Sequence, residues 1–336
     1  MADSKLPADG RAATRRASPD SVRGGRNADR LRLRAAWMYY IEQRTQNDIA
    51  ELLGVGRVTV VRMLADARAR NEVRIAVVGE LEHSTRLERE LESTFGIERV
   101  TVVPLSERSA DPVPAIAAAL GRLISGTVRS GMRLGVGWGR TLYSSLPWIE
   151  GQTLHDFKVI SLLGGIIEAR RFNPAEFAWQ LAELFQGEGY LVPAPAIVDS
   201  VTTRDALIER CGIDTIFQMA SELDAVLLSV GGMETATTTF RVGYLSREER
   251  LSLVRAGAVG DLLFHFFAGD GTIVTHEINE RIVAVGAERL RQVPIRIMAS
   301  GGAEKVDAML GAMSLVPPTR LVTDEYTAEA LLQRRA

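Results

Sequence analysis

Arg57 and Arg62 lie five residues apart in the run Gln46–Leu64, QNDIAELLGVGRVTVVRML. The spacing predicts that both point outward from a short helix, together with Gly56, Val58 and Val61, and with Thr59 at the margin. Guanidinium groups read base edges and contact phosphates, and small apolar groups meet thymine methyls. The chemistry predicted for this face is recognition of DNA in the major groove. Val60, Met63 and Leu64 form the opposite stripe, which such a helix buries. A first helix precedes it. Ile49 and Leu53 share one face, Ala50 is small enough for close packing, and Gly54 ends the helix where a left-handed residue is needed. Gln46 opens that helix and is a further candidate for DNA contact. This is the pattern of a helix-turn-helix; an ordinary helical hairpin inside a core is the alternative.

A second group of residues suits an anion. The loop 135–141, GVGWGRT, lies between an apolar run and a helical segment. Gly137 and Gly139 free the backbone to approach a ligand. Arg140 offers a bidentate partner for phosphate, and Thr141 with the helix amides offers donors at a positive helix end. The same glycines also suit a plain structural turn. Residues 300–305, SGGAEK, repeat the logic. Lys305 falls in a first helical turn, where the dipole disfavours a cation, so an anionic ligand or simple solvation accounts for it. Asp261, expected in a loop before the strand LLFHFF, is an acceptor for sugar hydroxyls. His265 reads as a core histidine. Glu277, Asn279 and Arg281 form a polar cluster that lines a pocket or turns the chain. The histidines show no ligand spacing, so no metal is expected. No catalytic set and no cofactor motif is present in the sequence.

These residues need elements to hold them. RIAVVG, RVTVVPL, RLGVGWG, KVISLLGG, AVLLSVGG, IRIMASGG and RLVTD are short apolar runs, most of them followed by helical segments at 84–95, 112–129, 141–149, 174–187, 303–314 and 325–334. Strands alternating with helices predict an α/β domain with a doubly wound, mostly parallel sheet. Four runs end in glycine pairs: Gly137 with Gly139, Gly164–Gly165, Gly231–Gly232 and Gly301–Gly302. Ligands of such sheets bind beyond the carboxyl ends of the strands, so these four ends are expected to converge on one site.

The domain division expected is a disordered arm over 1–28, a three-helix DNA-binding domain over 29–72 and an effector-binding and oligomerisation domain over 73–336. Within the head, a first helix over 29–43 is expected to turn Leu33, Ala36, Trp37, Tyr40 and Ile41 inward. The formal charge of −2 is unevenly spread. Residues 1–74 hold 15 Lys or Arg against 9 Asp or Glu, whereas the rest hold 25 against 33. Basic charge therefore sits with the DNA reader, where phosphate neutralisation needs it. Only Lys5, Lys158 and Lys305 are lysines. No apolar run reaches the length of a membrane helix, and residues 1–28 hold no apolar signal stretch. The lone Cys211 excludes an internal disulfide, and the expected compartment is the cytoplasm.

The order of the segments QNDIAELLGVGRVTVVRMLADAR, GVGWGRT, LLSVGG, GAVGDLLFHFFAGDG, INERIVAV, ASGGAEKVDAMLGAM and TDEYTAEALL resembles the SorC family of sugar-responsive bacterial transcriptional regulators. The resemblance covers about residues 29–334 and is closest to regulators of erythritol or related polyol catabolism. It implies an effector domain similar to sugar-phosphate isomerases and deaminases, a sugar, polyol or sugar-phosphate effector, and a homo-dimer or tetramer. Because one reading head buries too little to select a single site, an inverted-repeat operator is expected. The resemblance carries residues over as well. It implies effector contacts at Gly137, Gly139, Arg140, Thr141, Gly231, Gly232, Asp261 and Lys305. Gly56 stands where the family often has a capping serine, Val61 where a small polar residue is frequent, and Trp138 is bulky for a phosphate loop. With so few lysines, an effector held as a Schiff base requires Lys158 to point inward. Few basic groups are committed to the site, so a polyol or its monophosphate fits better than a bisphosphate. A sugar-phosphate isomerase or deaminase carrying an added DNA-binding domain is the rival reading.

Overall fold

The computed structural model describes residues 19–73, 75, 82–166, 173–234 and 245–335. It divides into two compact units, Met1–Val78 and Gly79–Ala336, a boundary six residues beyond the expected one. The expected strand RIAVVG falls, Ile75 aside, outside the described residues.

The first unit is three helices: α1 (Pro19–Tyr40), α2 (Gln46–Leu53) and α3 (Arg57–Ala69). Helix α1 begins at Pro19, so residues 19–28, expected within the arm, are helical. Thr45 caps α2 reciprocally with Asp48, each side chain bonding the other's backbone N–H. Gly54 ends α2 at φ 64°. The buried faces of Ala35, Ala36, Ile49, Ala50, Val60, Leu64 and Ala67 meet in one small core.

Helix α1 is rotated from its expected phase. Leu33, Trp37 and Ile41 are exposed, and Ala35, Met38 and Arg32 take the inner positions with Ala36. A three-helix head encloses little volume, and the alanines let α3 approach closely where tryptophan would hold it away. Buried Arg32 is matched by charge. It donates to both carboxylate oxygens of Glu72 and, at 2.7 Å, to Asp29. Its hydrogen bonds hold the Glu72 carboxyl below its ordinary value against the opposing effect of burial.

The second unit is built on a seven-stranded parallel sheet. Its strands are β1 (Arg99–Val103), β2 (Arg133–Val136), β3 (Lys158–Gly165), β4 (Glu188–Pro195), β5 (Ala225–Leu228), β9 (Ile295–Ala299) and β10 (Arg320–Asp324). Their spatial order is β1-β10-β9-β5-β2-β3-β4. Strand β4, EGYLVPAP, was not expected as a strand, because prolines and a glycine break its apolar pattern.

Successive strand residues feed opposite cores, as buried parallel strands must. Ile160 and Val226 enter one core with α4 (Glu82–Phe95), α13 (Val306–Leu315) and α14 (Glu325–Arg335). Val159 and Leu227 enter the other with α5 (Val113–Thr127) and α7 (Pro174–Leu184). A small antiparallel sheet, β6 (Gly231–Gly232), β7 (Gly260–Leu262) and β8 (His265–Phe267), adjoins the carboxyl end of β5.

The chain runs from β2 outward to β3 and β4, then returns to β5 on the other side of β2. That reversal makes a topological switch point between the carboxyl ends of β2 and β5. It is where doubly wound sheets bind ligands.

Candidate functional sites: a DNA-reading helix and a crevice at the strand ends

Helix α3 presents the face that the sequence predicts. Arg57, Val58, Val61 and Arg62 are exposed, Gly56 is exposed at the N-cap, and Thr59 is half-buried at the margin. Val58 is 82% exposed, a cost in water that contact with a thymine methyl would remove. Gly56 makes no side-chain cap, so the first amides of α3 are open to another acceptor, such as a phosphate. Gln46, the first residue of α2, is half-buried.

In the second unit, the loops after β2, β5 and β9 meet. Gly137 N donates to Leu227 O at 2.8 Å. Gly139 takes φ 122°, a conformation that side-chain-bearing residues rarely adopt, and lies against Ser229. Buried Ser300 donates to Val230 O at 3.4 Å. The end of β10 joins them. A Cβ on Gly301 would stand 2.2 Å from Asp324 Oδ2, and that same oxygen accepts from Gly302 N and from the Thr327 hydroxyl. Gly301 is thus a close approach between two strand ends.

The fourth expected pair does not join. Gly164 is packed against the backbone of Ala194 and Pro195 in β4, so the β3 glycines serve strand contact rather than the crevice. The Gly231–Gly232 pair lies within β6, opposite Asp261 and Gly260 of β7, rather than in a turn.

Arg140 opens α6 (Arg140–Ser145), which continues as a short 3-10 turn, Leu146–Trp148. The expected helix 141–149 is therefore only six α-helical residues, too short for much of a dipole, and Arg140 acts through its side chain. It donates to both oxygens of Asp111, at 2.6 and 3.1 Å, a partner that no motif indicated. Thr141 is buried at 2% exposure. Trp138 is also buried and stacks on Phe264 with ring centroids 4.6 Å apart, so its bulk supports the loop from beneath.

Asp261 does not stand in a loop. It is buried in β7, and its carboxylate accepts from Phe264 N at 3.1 Å. The expected single strand LLFHFF is in fact a hairpin, β7–β8, turned at Leu263 and Phe264 with φ 53° and 65°. Lys305 is half-buried at the N-cap of α13. Burial pushes its ammonium below its ordinary value, and Arg140 pushes the same way. The carboxylates of Glu304, Asp261 and Asp111 oppose them. Arg140, Lys305 and Asp261, distant in sequence, thus stand within electrostatic reach of one another.

His265 is held neutral, its pKa lowered by burial to about 4, as suits a core position. Asn279 bonds Phe266 N and O and Val274 O, and Arg281 reaches Val198 O and Glu277 O. Asn279 thereby ties strand β8 of the hairpin to the segment that follows it. Lys158 opens β3, at the amino end of the sheet, with its ammonium 5.9 Å from the Tyr190 ring. It does not point into the crevice.

A three-helix head with an exposed, arginine-bearing helix and a doubly wound domain that gathers Arg140, Lys305 and Asp261 near its switch point are the parts expected of a ligand-responsive transcriptional regulator. The family model described as "Putative sugar-binding domain" matches residues 79–333. The deoxyribonucleoside regulator of Bacillus subtilis is 30% identical over 315 residues, 91% of this chain and 98% of that protein. The erythritol catabolism regulatory protein EryD of Brucella abortus is 28% identical over 306 residues, 90% and 96% of the two chains. The crystal structure of the full-length sorbitol operon regulator SorC from Klebsiella pneumoniae matches with a TM-score of 0.69 at 25% identity, covering 90% of this chain and 98% of that one. The chain belongs to this family, the SorC-type sugar-binding transcriptional regulators. It is a transcriptional regulator, and none of these relatives is a sugar-phosphate isomerase or deaminase. Among the described residues, no helix is long and apolar enough to cross a membrane.

Proposed function

We propose that the outward face of α3 reads an operator in the cytoplasm and that a phosphorylated sugar or polyol, bound at the switch-point crevice, controls that reading. Arg140 and Lys305 hold the phosphate, and Asp261 accepts from the hydroxyls. Gly137, Gly139 and the Gly231–Gly232 strand shape the backbone wall, with Thr141 packed behind it. The observation that carries this reading is the pair of cations at the strand ends, one of them a half-buried ammonium that burial pushes toward its neutral form. An anion beside it would favour its charged form.

One reading head covers too little DNA to select a single genomic site, so the head acts in an even-numbered oligomer on an inverted repeat. The effector changes the spacing of the paired heads. A coupling of about 1–3 kcal/mol would alter operator occupancy roughly 5- to 150-fold.

Calorimetry with erythritol and erythritol phosphate tests the assignment on the wild type and on the Arg140→Ala, Lys305→Ala double variant. Each lost charge-assisted bond should remove about 1.5–3 kcal/mol from the phosphorylated ligand alone. Equal losses for both ligands would reject the phosphate assignment. Operator binding without effector should survive in the double variant, because the recognition helix lies in the other unit.

A further inference from the structure

A second cationic cavity lies away from the crevice. It has a volume of about 320 Å3 and sits between α5 and the edge formed by β1 and β10. Arg99, Arg122 and Arg320 line it, with Thr101, Gly126 and Thr127, and no carboxylate is among its lining residues. The backbone explains the convergence. Arg99 and Arg320 each open a strand and stand opposite one another in the parallel register, so both side chains leave the same face. Arg122 and Gly126 lie four apart on α5, on the side facing that edge, and Gly126 leaves the space beside it unfilled.

Arg320 is held in place. It donates to Thr127 Oγ1 at 2.6 Å, and that hydroxyl donates to Leu123 O. Gly126 O accepts from Arg129 at 2.9 Å. Elsewhere in this acidic unit arginines meet acids, as Arg133 meets Glu222 and Arg140 meets Asp111. Three guanidinium groups around one recess repel each other, and an oxyanion with several acceptor oxygens relieves that repulsion by bidentate bonding.

We propose that Arg99, Arg122 and Arg320 form a second anion site that takes the phosphoryl group of a small molecule. It lies at the amino ends of the strands, whereas the effector crevice lies beyond the carboxyl ends. A ligand held here leaves the effector loops untouched.

The test uses the full chain carrying Arg140→Ala and Lys305→Ala, which silences the crevice, and titrates pyrophosphate by calorimetry. Binding should persist in that background and weaken at least tenfold on adding Arg122→Gln, an exposed position that the fold does not need. Arg99→Gln should act alike. Inorganic phosphate and glycerol 3-phosphate then identify the source: tighter binding of the ester marks a phosphorylated metabolite, and equal binding marks free phosphate. Pyrophosphate affinity within twofold of the background in both added variants would overturn the proposal. So would the absence of binding in the background. A change of mass by light scattering in Arg122→Gln would then assign the cavity to a contact between copies. Wild type and background bind alike if the crevice takes no phosphate, so the two readings fail separately.

Discussion

Arg140 and Asp111 form a two-bond ion pair, 2.6 and 3.1 Å, at the rim of the switch-point crevice. If Arg140 holds the effector phosphate as proposed, Asp111 occupies the two bonds that phosphate would accept. The pair is partly exposed, at 41% and 48% of the two side chains, so it is worth only about 0.2–1 kcal/mol. On the proposed reading, an arriving phosphate, with more charge and more oxygens, would displace Asp111 at small expense.

Replacing Asp111 by asparagine should therefore tighten phosphorylated-effector binding by up to about fivefold, the equivalent of that pair. Affinity for the free polyol should not change. Calorimetry on the two ligands checks this, and weaker binding of the phosphorylated ligand would show that Asp111 positions Arg140 rather than competing for it.

Helices α2 and α3 and the turn between them were legible because their signals are local: a glycine at the turn, apolar residues three and four apart, and arginines between them. The parallel sheet was legible from its continuous apolar runs. Asp111 was not, because it lies 29 residues from Arg140 and only the fold brings them together. The phase of α1 misled because Leu33, Trp37 and Ile41 form as good an apolar stripe as the residues that are buried. Size decided between them, since the small head accepts alanine. The hairpin within LLFHFF was hidden because its turn residues are leucine and phenylalanine, neither of them a turn former.

Arg57→Ala and Arg62→Ala should each weaken operator binding. Loss of a base contact costs about 1–3 kcal/mol and relaxes preference at one position, whereas loss of a phosphate contact weakens all sequences alike. Mobility shifts on operator and scrambled DNA separate the two. Wild-type binding by both variants would mean that α3 is not the reading helix.

Glu72→Gln should destabilise the head by about 1.5–3 kcal/mol, because Arg32 keeps its burial and loses its charged acceptor. The Glu72 carboxyl lies below its ordinary value in the folded state. Its contribution is therefore present above the unfolded pKa and is lost as pH falls through the folded one. Denaturant unfolding of the wild-type head should show that acid loss, and Glu72→Gln should lack it.

His265 works in the opposite sense to an acquired ion pair. Its folded pKa, about 4, lies below the ordinary 6.5, so the unfolded chain binds the proton first. Stability of the effector unit should fall as pH drops from 6.5 toward 4, by a total on the order of 3 kcal/mol. His265→Gln carries no charge at either pH. Its denaturation midpoint should change less than that of the wild type between pH 7 and pH 4.5. Equal changes would place the acid sensitivity elsewhere.

Phe264 joins a strained turn to the crevice. It holds φ 65°, where a side chain costs about 1 kcal/mol, and its ring supports Trp138 from 4.6 Å. Removing the ring should cost about 3–5 kcal/mol whichever small residue replaces it, since the site is fully buried. The two smallest replacements should then separate. At most positions alanine is the more stable, because glycine has more freedom to lose on folding. Here the left-handed conformation reverses the order, and Phe264→Gly should exceed Phe264→Ala by roughly 1 kcal/mol in urea unfolding. Both variants should bind the phosphorylated effector more weakly, because Trp138 between Gly137 and Gly139 loses its support. Alanine equal to or above glycine would show that the turn relaxes once the ring is gone, and that the stack, rather than the turn, sets the loop's geometry.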